Sequence, residues 1–349
     1  MKKTKIVYLL PGIGSETYRA VQTGYAPRER LFGAVQLIER GWSVTICDAQ
    51  WEGWATPIRR KLARWLELPA HKTCLALWRA DITVIQGRLA PLLLLTAKVF
   101  GTRVVYVDVM FDMPKRRFRQ WLNKLCLNIS DAIISYSATQ CRVWGKAYDI
   151  PINKMISAHF PMDSAFYRKP LVENVTHPFV IAIGRDIGRD FSTLLSAANL
   201  AGIDTKLVTL PYLLPRSRNE GGRVEVFQRV SYPELFNLYA QSTLAVVPLK
   251  AEISYPSGIR ASLEAMLLRI PVVATYTSVL AEEFVDGEHL LYVEPSNPKL
   301  LAKAMRRILD DPGLAERLVE TAWQKVYNDF SVDQFADIIE SSLVRLSKI

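Results

Sequence analysis

Two short stretches hold residues whose types and spacing could do chemistry. In Gly184-Arg185-Asp186-Ile187-Gly188-Arg189-Asp190, two arginines stand either side of Gly188, just after an apolar run. Two guanidiniums at a strand end, beside a helix start, can clamp a diphosphate through charge-assisted hydrogen bonds. Exposed arginines in an ordinary turn are the plainer alternative. In the second stretch, Ser257-Gly258-Ile259 leads towards Ser262-Leu263-Glu264-Ala265-Met266. Gly258 lets backbone come close to a ligand. The helix start offers unpaired N–H groups and a positive dipole end, which suit phosphate or sugar oxygens. Glu264 could accept hydrogen bonds from a pair of sugar hydroxyls. A solvated helix acid behind a turn glycine fits the same residues.

The elements that must position these groups are legible around them. Residues 243–249 form a β-branched, apolar run that reads as a buried parallel strand. Loop 250–258 follows, then a helix from Ile259 with Leu263, Met266 and Leu267 at helical spacing, stopped by Pro271. Residues 271–275 read as the next strand. Residues 178–183 form the strand before Gly184, and Leu194, Leu195 and Ala198 share one face of the helix after it. The N-terminal half opens the same way. Residues 5–10 form a strand, residues 29–40 a helix ended by Gly41, and residues 42–47 a second strand. Residues 82–86, 104–107 and 132–135 read as further parallel strands.

A chain of 349 residues, half of them hydrophobic, is long enough for two cored domains. It has no run of 18 apolar residues that would read as a transmembrane helix, and its start reads as a core strand, not a signal peptide. Cys47, Cys74, Cys126 and Cys141 are scattered without paired spacing, so a reducing cytoplasm is expected and no metal site. Gly12 and Gly14 form a GxG after the first strand, but Thr17 takes the third glycine position. Asp48 comes 36 residues after Gly12, where a dinucleotide ribose acid is expected after about 20. A dinucleotide site is therefore rejected.

Charge divides the chain. Residues 1–170 hold 26 Lys+Arg against 12 Asp+Glu, and residues 171–349 hold 18 against 22. A basic first half suggests that it faces a polyanion or an anionic membrane. Arg59, Arg60 and Arg64 surround an apolar stripe of Ile58, Leu62, Trp65 and Leu66. Arg116, Arg117, Arg119 and Trp121 belong to a second basic-aromatic helix. Such helices can lie on an anionic bilayer surface; a solvated face over a core stripe is the alternative for either one. No nucleic-acid motif is present, so nucleic acid is not expected as a partner.

The segments SLEAM and IPVVAT resemble the donor-site motif of GT-B glycosyltransferases, specifically the retaining family 4 (glycosyltransferase group 1). That motif is a glutamate, seven residues, a second glutamate, then Ala-Met and Pro-Val-Val. The resemblance gives Glu264 the second glutamate's role of holding the donor ribose. Pro256 stands where the first glutamate, which contacts the transferred sugar, should be; Glu252 is near but out of register. Gly184-Arg185 matches a Gly-Arg that binds the donor diphosphate, with Arg189 in place of a lysine. By the same resemblance, residues 226–231 face the base, Gly12 and Gly14 face the cleft, and Asp108 lies where the acceptor hydroxyl could sit. Asp112 reads as a helix cap.

The resemblance implies two Rossmann-like, doubly wound parallel-sheet domains, at 1–165 and 177–330, with a C-terminal helix (332–349) crossing back to the first. It implies a hexosyltransferase-type enzyme that moves a sugar from a nucleotide diphosphate sugar to a glycan or lipid-linked acceptor, with retention and without metal or other cofactor. The donor site would be Gly184, Arg185, Arg189, Ser257, Gly258, Ile259 and Glu264, with Arg185, Arg189 and Glu264 catalytic. The expected location is cytoplasmic or peripheral on the membrane's inner face, in cell-surface polysaccharide or glycolipid synthesis. Two alternatives stand: a non-catalytic nucleotide-sugar-binding partner of a polysaccharide assembly complex, motivated by Pro256, and a GT-B sugar-nucleotide epimerase.

Overall fold

The computed structural model describes residues 4–10, 14–48, 71–87, 91–107, 113–114, 116–168, 179–215 and 224–347. The chain divides into two compact units. Unit 1 is Met1–Met162 with Val332–Ile349, and unit 2 is Asp163–Ser331.

Unit 1 runs β1 (Lys5–Leu10), α1 (Gly14–Gln22), α2 (Ala34–Glu39), β2 (Ser43–Asp48), α3 (His71–Trp78), β3 (Ile82–Gln86), α4 (Pro91–Val99), β4 (Arg103–Val107), α5 (Arg117–Ile129), β5 (Ala132–Ser135), α6 (Ala138–Tyr148) and β6 (Met155–Ser157). The six strands form one parallel sheet in the order β2-β1-β3-β4-β5-β6. Leu77 of α3, Leu93, Leu94 and Ala97 of α4, Cys126 and Leu127 of α5, and Cys141, Trp144 and Tyr148 of α6 pack together with Val7, Ile85, Val104, Tyr106 and Ile133 of the sheet. Burying these apolar groups is the main favourable term in the unit's stability.

Unit 2 runs β7 (Phe179–Ile183), α7 (Phe191–Ala201), β8 (Asp204–Val208), β9 (Val224–Phe227), α8 (Tyr232–Gln241), β10 (Leu244–Val247), α9 (Ile259–Leu267), β11 (Val272–Thr275), β12 (Leu291–Val293), α10 (Pro298–Asp310) and α11 (Pro312–Asp329). Its sheet is parallel, ordered β9-β8-β7-β10-β11-β12. Counted within the unit this is the 3-2-1-4-5-6 order, whose strand order reverses between β7 and β10. Ligands of such sheets bind outside the strand ends at that reversal.

The chain ends in α12 (Val332–Ser347), which belongs to unit 1 and buries Phe335, Ala336, Ile339, Leu343 and Leu346. It lies so close to Gly33 that a Cβ there would sit 3.3 Å from the Ala336 Cα. This explains the departure from the expected helix at residues 29–40. Phe32 (φ 47°) and Gly33 (φ 81°) break it into a turn at Arg28–Leu31 and the short α2, with Gly41 (φ 85°) ending it as expected. In unit 2, Gly258 (φ 84°) makes the turn into α9 directly against β10, where a Cβ would come within 2.6 Å of Val247 Cγ1. The basic-aromatic helix begins at Arg117, so Arg116, expected within it, stands just before it as the N-cap residue.

Two stability changes follow from these contacts. Phe335→Ala opens a cavity under α12 and lowers the stability of unit 1 by about 3–5 kcal/mol, read as a lower urea midpoint. Gly258→Ala forces a Cβ into the left-handed region and into Val247, and lowers the stability of unit 2 by more than about 1 kcal/mol. An unchanged midpoint in either variant contradicts the packing described.

Candidate donor site in unit 2

The turn after β7 is built around Asp186. Its Oδ1 accepts from the Gly188 N–H at 3.0 Å, the Tyr255 hydroxyl at 3.0 Å and the Ser257 hydroxyl at 2.6 Å; its Oδ2 accepts from Arg189 Nε at 2.9 Å. Two of these donors come from the loop after β10, so one carboxylate ties both loops together at the strand-order reversal. Backbone bonds complete the tie, with Asp190 N–H donating to Pro248 O at 3.0 Å and Lys250 N–H to Gly188 O at 2.9 Å. Burial pushes the Asp186 carboxyl up, but the Arg189 charge and the hydrogen bonds from Ser257, Arg189 and Tyr255 outweigh it and hold the group below the usual carboxylate range.

Arg189 is held tightly. It is 6% exposed and folds back over Gly184, where a Cβ would meet its Nε at 2.2 Å. Its Nε is bonded to Asp186, but its Nη1 is buried with no partner among the described residues. A buried guanidinium N–H without an acceptor costs free energy unless a ligand supplies one. Arg185 is exposed, and its Nη2 donates to the Gln228 carbonyl just past β9. That carbonyl lies in the 226–231 stretch expected to face a base, while Ser231 is occupied in a capping box with Glu234.

Gly258 makes no side-chain cap, so the first turn of α9 carries no side-chain acceptor. In the same unit Asp190, Ser231, Asn297 and Asp311 cap α7, α8, α10 and α11. Ser257 and Ile259 are buried beside the open start. Glu264, one turn further, is 5% exposed, which excludes the solvated reading of this acid. Its Oε1 accepts from Arg260 Nε at 2.9 Å and from the Tyr167 hydroxyl at 3.4 Å. Arg260 Nη2 also donates to the Tyr167 and Tyr232 hydroxyls, at 3.3 and 3.2 Å. Beneath them, burial pushes the Tyr239 phenol far above its ordinary value. The Glu264 charge pushes the same way, and Arg189 and Arg260 pull it back. Both stretches thus act on one buried phenol.

Sequence reasoning passed over Asp186, Tyr255, Arg260 and Tyr167. Arg260 had a readable signal, because it stands four residues before Glu264 on the same helix face. For Asp186 the nearby Gly188 and Arg189 suggested no more than a turn, because its other two partners, Tyr255 and Ser257, come from a loop some 70 residues away. Pro256 is buried in the loop and Glu252 is exposed on it. Of the other expected residues, Gly14 begins α1, where a Cβ would meet Leu10 and Cys47 at 3.2 Å. Asp48 is engaged with the Ser15 N–H and hydroxyl, at 3.0 and 3.1 Å. Arg116, Arg117, Arg119 and Trp121 are exposed on and before α5. Gly12, Arg59, Arg60, Arg64, Asp108 and Asp112 lie outside the described residues.

The family model for glycosyl transferases group 1 matches residues 212–325, which include Ser257, Gly258 and Glu264 but not Arg185 or Arg189. An uncharacterized glycosyltransferase of Methanocaldococcus jannaschii is 35% identical over 102 residues, 29% of this chain and 25% of that protein. The chain therefore spans about a quarter of the length of that relative. Among solved structures, sucrose-phosphate synthase from Thermosynechococcus elongatus superposes with a TM-score of 0.73 at 18% identity, covering 99% of both chains. HepE of Anabaena, solved in complex with UDP-glucose, superposes with a TM-score of 0.67 at 16% identity, covering 98% of this chain and 99% of that one. The chain has the GT-B fold, with its two parallel α/β sheets, and residues 212–325 carry the sequence pattern of the group 1 glycosyl transferases.

Proposed function

We propose that this protein is a glycosyltransferase that takes a sugar from a nucleoside diphosphate sugar bound in unit 2. The observation that carries this reading is the buried, unpartnered Nη1 of Arg189 next to the uncapped start of α9, at the strand-order reversal. A diphosphate placed there gives Nη1 its acceptor and meets the positive helix end. Arg185, at the mouth of the same turn, supplies a second cation. As the glycosidic bond breaks, the nucleoside diphosphate leaves with its electron pair, and these cations stabilise that developing charge. Glu264, oriented by Arg260, accepts hydrogen bonds from the two ribose hydroxyls. The anomeric carbon bonds to a hydroxyl oxygen of a glycan or lipid-linked acceptor with its configuration retained, the hydroxyl proton passes to the departing diphosphate, and the arginines take the charge-neutralising part without a metal. The match with group 1 transferases and the UDP-glucose in HepE support a uridine nucleotide as the first donor to test.

The excess of cations in residues 1–170 fits an anionic acceptor or membrane surface, and a protein working in the cytoplasm or at the membrane's inner face. A second reading, a nucleotide-sugar-binding partner without transferase activity, is favoured by Pro256, which puts a buried imino acid where the family's sugar-contacting glutamate stands.

A thermal-shift panel of UDP, GDP, ADP and CMP tests the site, because a ligand bound by the native state raises Tm. One nucleoside diphosphate should stabilise the protein, and Arg189→Ala and Glu264→Ala should each weaken its binding by tenfold or more, about 1.4 kcal/mol. Gly184→Ala should weaken binding too, because its Cβ drives the Arg189 side chain from its place against Asp186, and it should also lower the Tm of the free protein. Wild-type affinity in all three variants contradicts the site. Transfer or hydrolysis of the matching nucleotide sugar supports the enzyme; binding with no turnover of any sugar conjugate supports the partner reading.

A further inference from the structure

The helices α3, α4 and α5 of unit 1 are apolar on both faces. Their inner faces pack on the sheet. Their outer faces also carry large apolar side chains: Leu75 and Trp78 on α3, Leu95 and Val99 on α4, and Phe118, Trp121 and Leu125 on α5. Phe118, Trp121 and Leu125 fall at i, i+3 and i+7, so they form one stripe along α5, turned away from buried Cys126 and Leu127. Trp78 is 64% exposed, Val99 82%, Phe118 69% and Trp121 58%. Phe118 and Trp121 stack at 6.0 Å between ring centroids. α4 packs against both α3 and α5, so the three outer faces are neighbours. Single exposed apolar residues need no explanation, but a run across three adjacent helices marks an interaction surface.

The charge around this surface is one-sided. Among the described residues of 71–130 there are eight Lys+Arg and one Asp, and among those of 113–130 four cations and no acid. Lys72, Arg79, Arg116, Arg117, Arg119 and Lys124 are exposed. Lys124 is paired with Asp149. A second copy of this chain docking face to face would bring like charges together. A bilayer carrying anionic headgroups supplies both an apolar phase for the stripe and counter-charge for the arginines before and on α5.

We propose that the outer face of α3–α5 is a membrane-docking surface: Trp78, Val99, Phe118 and Trp121 enter the headgroup–acyl boundary, and the arginines before and on α5 contact anionic lipid phosphates. This deepens the membrane-surface reading above and does not depend on donor binding.

The test is flotation of the full chain with phosphatidylcholine–phosphatidylglycerol vesicles and with pure phosphatidylcholine vesicles. The protein should float with the anionic vesicles only, and release as salt rises. The paired variant Phe118→Ser/Trp121→Ser and the triple variant Arg116→Gln/Arg117→Gln/Arg119→Gln should each bind roughly tenfold less or weaker still. Both should keep the wild-type Tm and nucleotide-induced shift, because every substituted side chain is exposed. Brominated lipid should quench the fluorescence of the wild-type protein more than that of Trp121→Phe. Absence of flotation at low salt overturns the proposal, as does equal binding by wild type and both variants. A dimer in solution that the Phe118→Ser/Trp121→Ser variant dissolves overturns it in favour of a self-association face, and equal quenching in Trp121→Phe overturns the assigned orientation.

Discussion

The site in unit 2 depends on one carboxylate. Asp186 gathers a backbone N–H, two hydroxyls and a guanidinium, and those donors come from both loops at the strand-order reversal. Without it the β7 turn and the β10 loop would keep their backbone bonds and the bond from Lys250 Nζ to the Ile187 carbonyl, but Arg189 would lose the anchor on its Nε. A half-buried ion pair of this kind is poor evidence of stability, because desolvation offsets much of the attraction. Its value lies in geometry: it fixes a guanidinium so that the remaining N–H points to one place. The glycines follow from the same constraint. Gly184 and Gly188 are bare because Arg189 on one side and the Tyr255 and Ser257 hydroxyls on the other occupy the space a Cβ would need.

The same logic governs α9. A helix with Ile259, Ala261, Leu263, Ala265, Met266 and Leu267 all buried has little room for an acid. Glu264 is tolerated because Arg260 meets it at 2.9 Å and the Tyr167 hydroxyl stands near both. The arrangement leaves an oriented acceptor in a mostly apolar wall. Asp186 and Glu264 are thus two versions of one device, an acid made tenable by an arginine three or four residues away.

Much of this was legible in the sequence because it is local. Apolar runs ending in Gly or Pro marked the strands, and the turn glycine Gly258 and helix acid Glu264 lay in a recognisable order. The fold class followed from the alternation of strands and helices. What was hidden is what depends on distant contacts. The break of the expected 29–40 helix at Phe32 and Gly33 reflects Ala336, three hundred residues on. Asp186 reads as a turn residue until Tyr255 and Ser257 are seen on it. On α5 the sequence showed aromatic and basic residues but could not tell which apolar stripe faces the sheet; only the packing of Cys126 and Leu127 leaves Phe118 and Trp121 outside.

The central claim is that the loops tied by Asp186 and the open start of α9 form one nucleotide-binding surface. Hydrogen exchange of the full chain with and without saturating nucleoside diphosphate tests it most directly. The account predicts slowed exchange concentrated at residues 184–190 and 257–264, with α5 unchanged. Protection confined to other segments, or none at a nucleotide concentration that raises Tm, would contradict it.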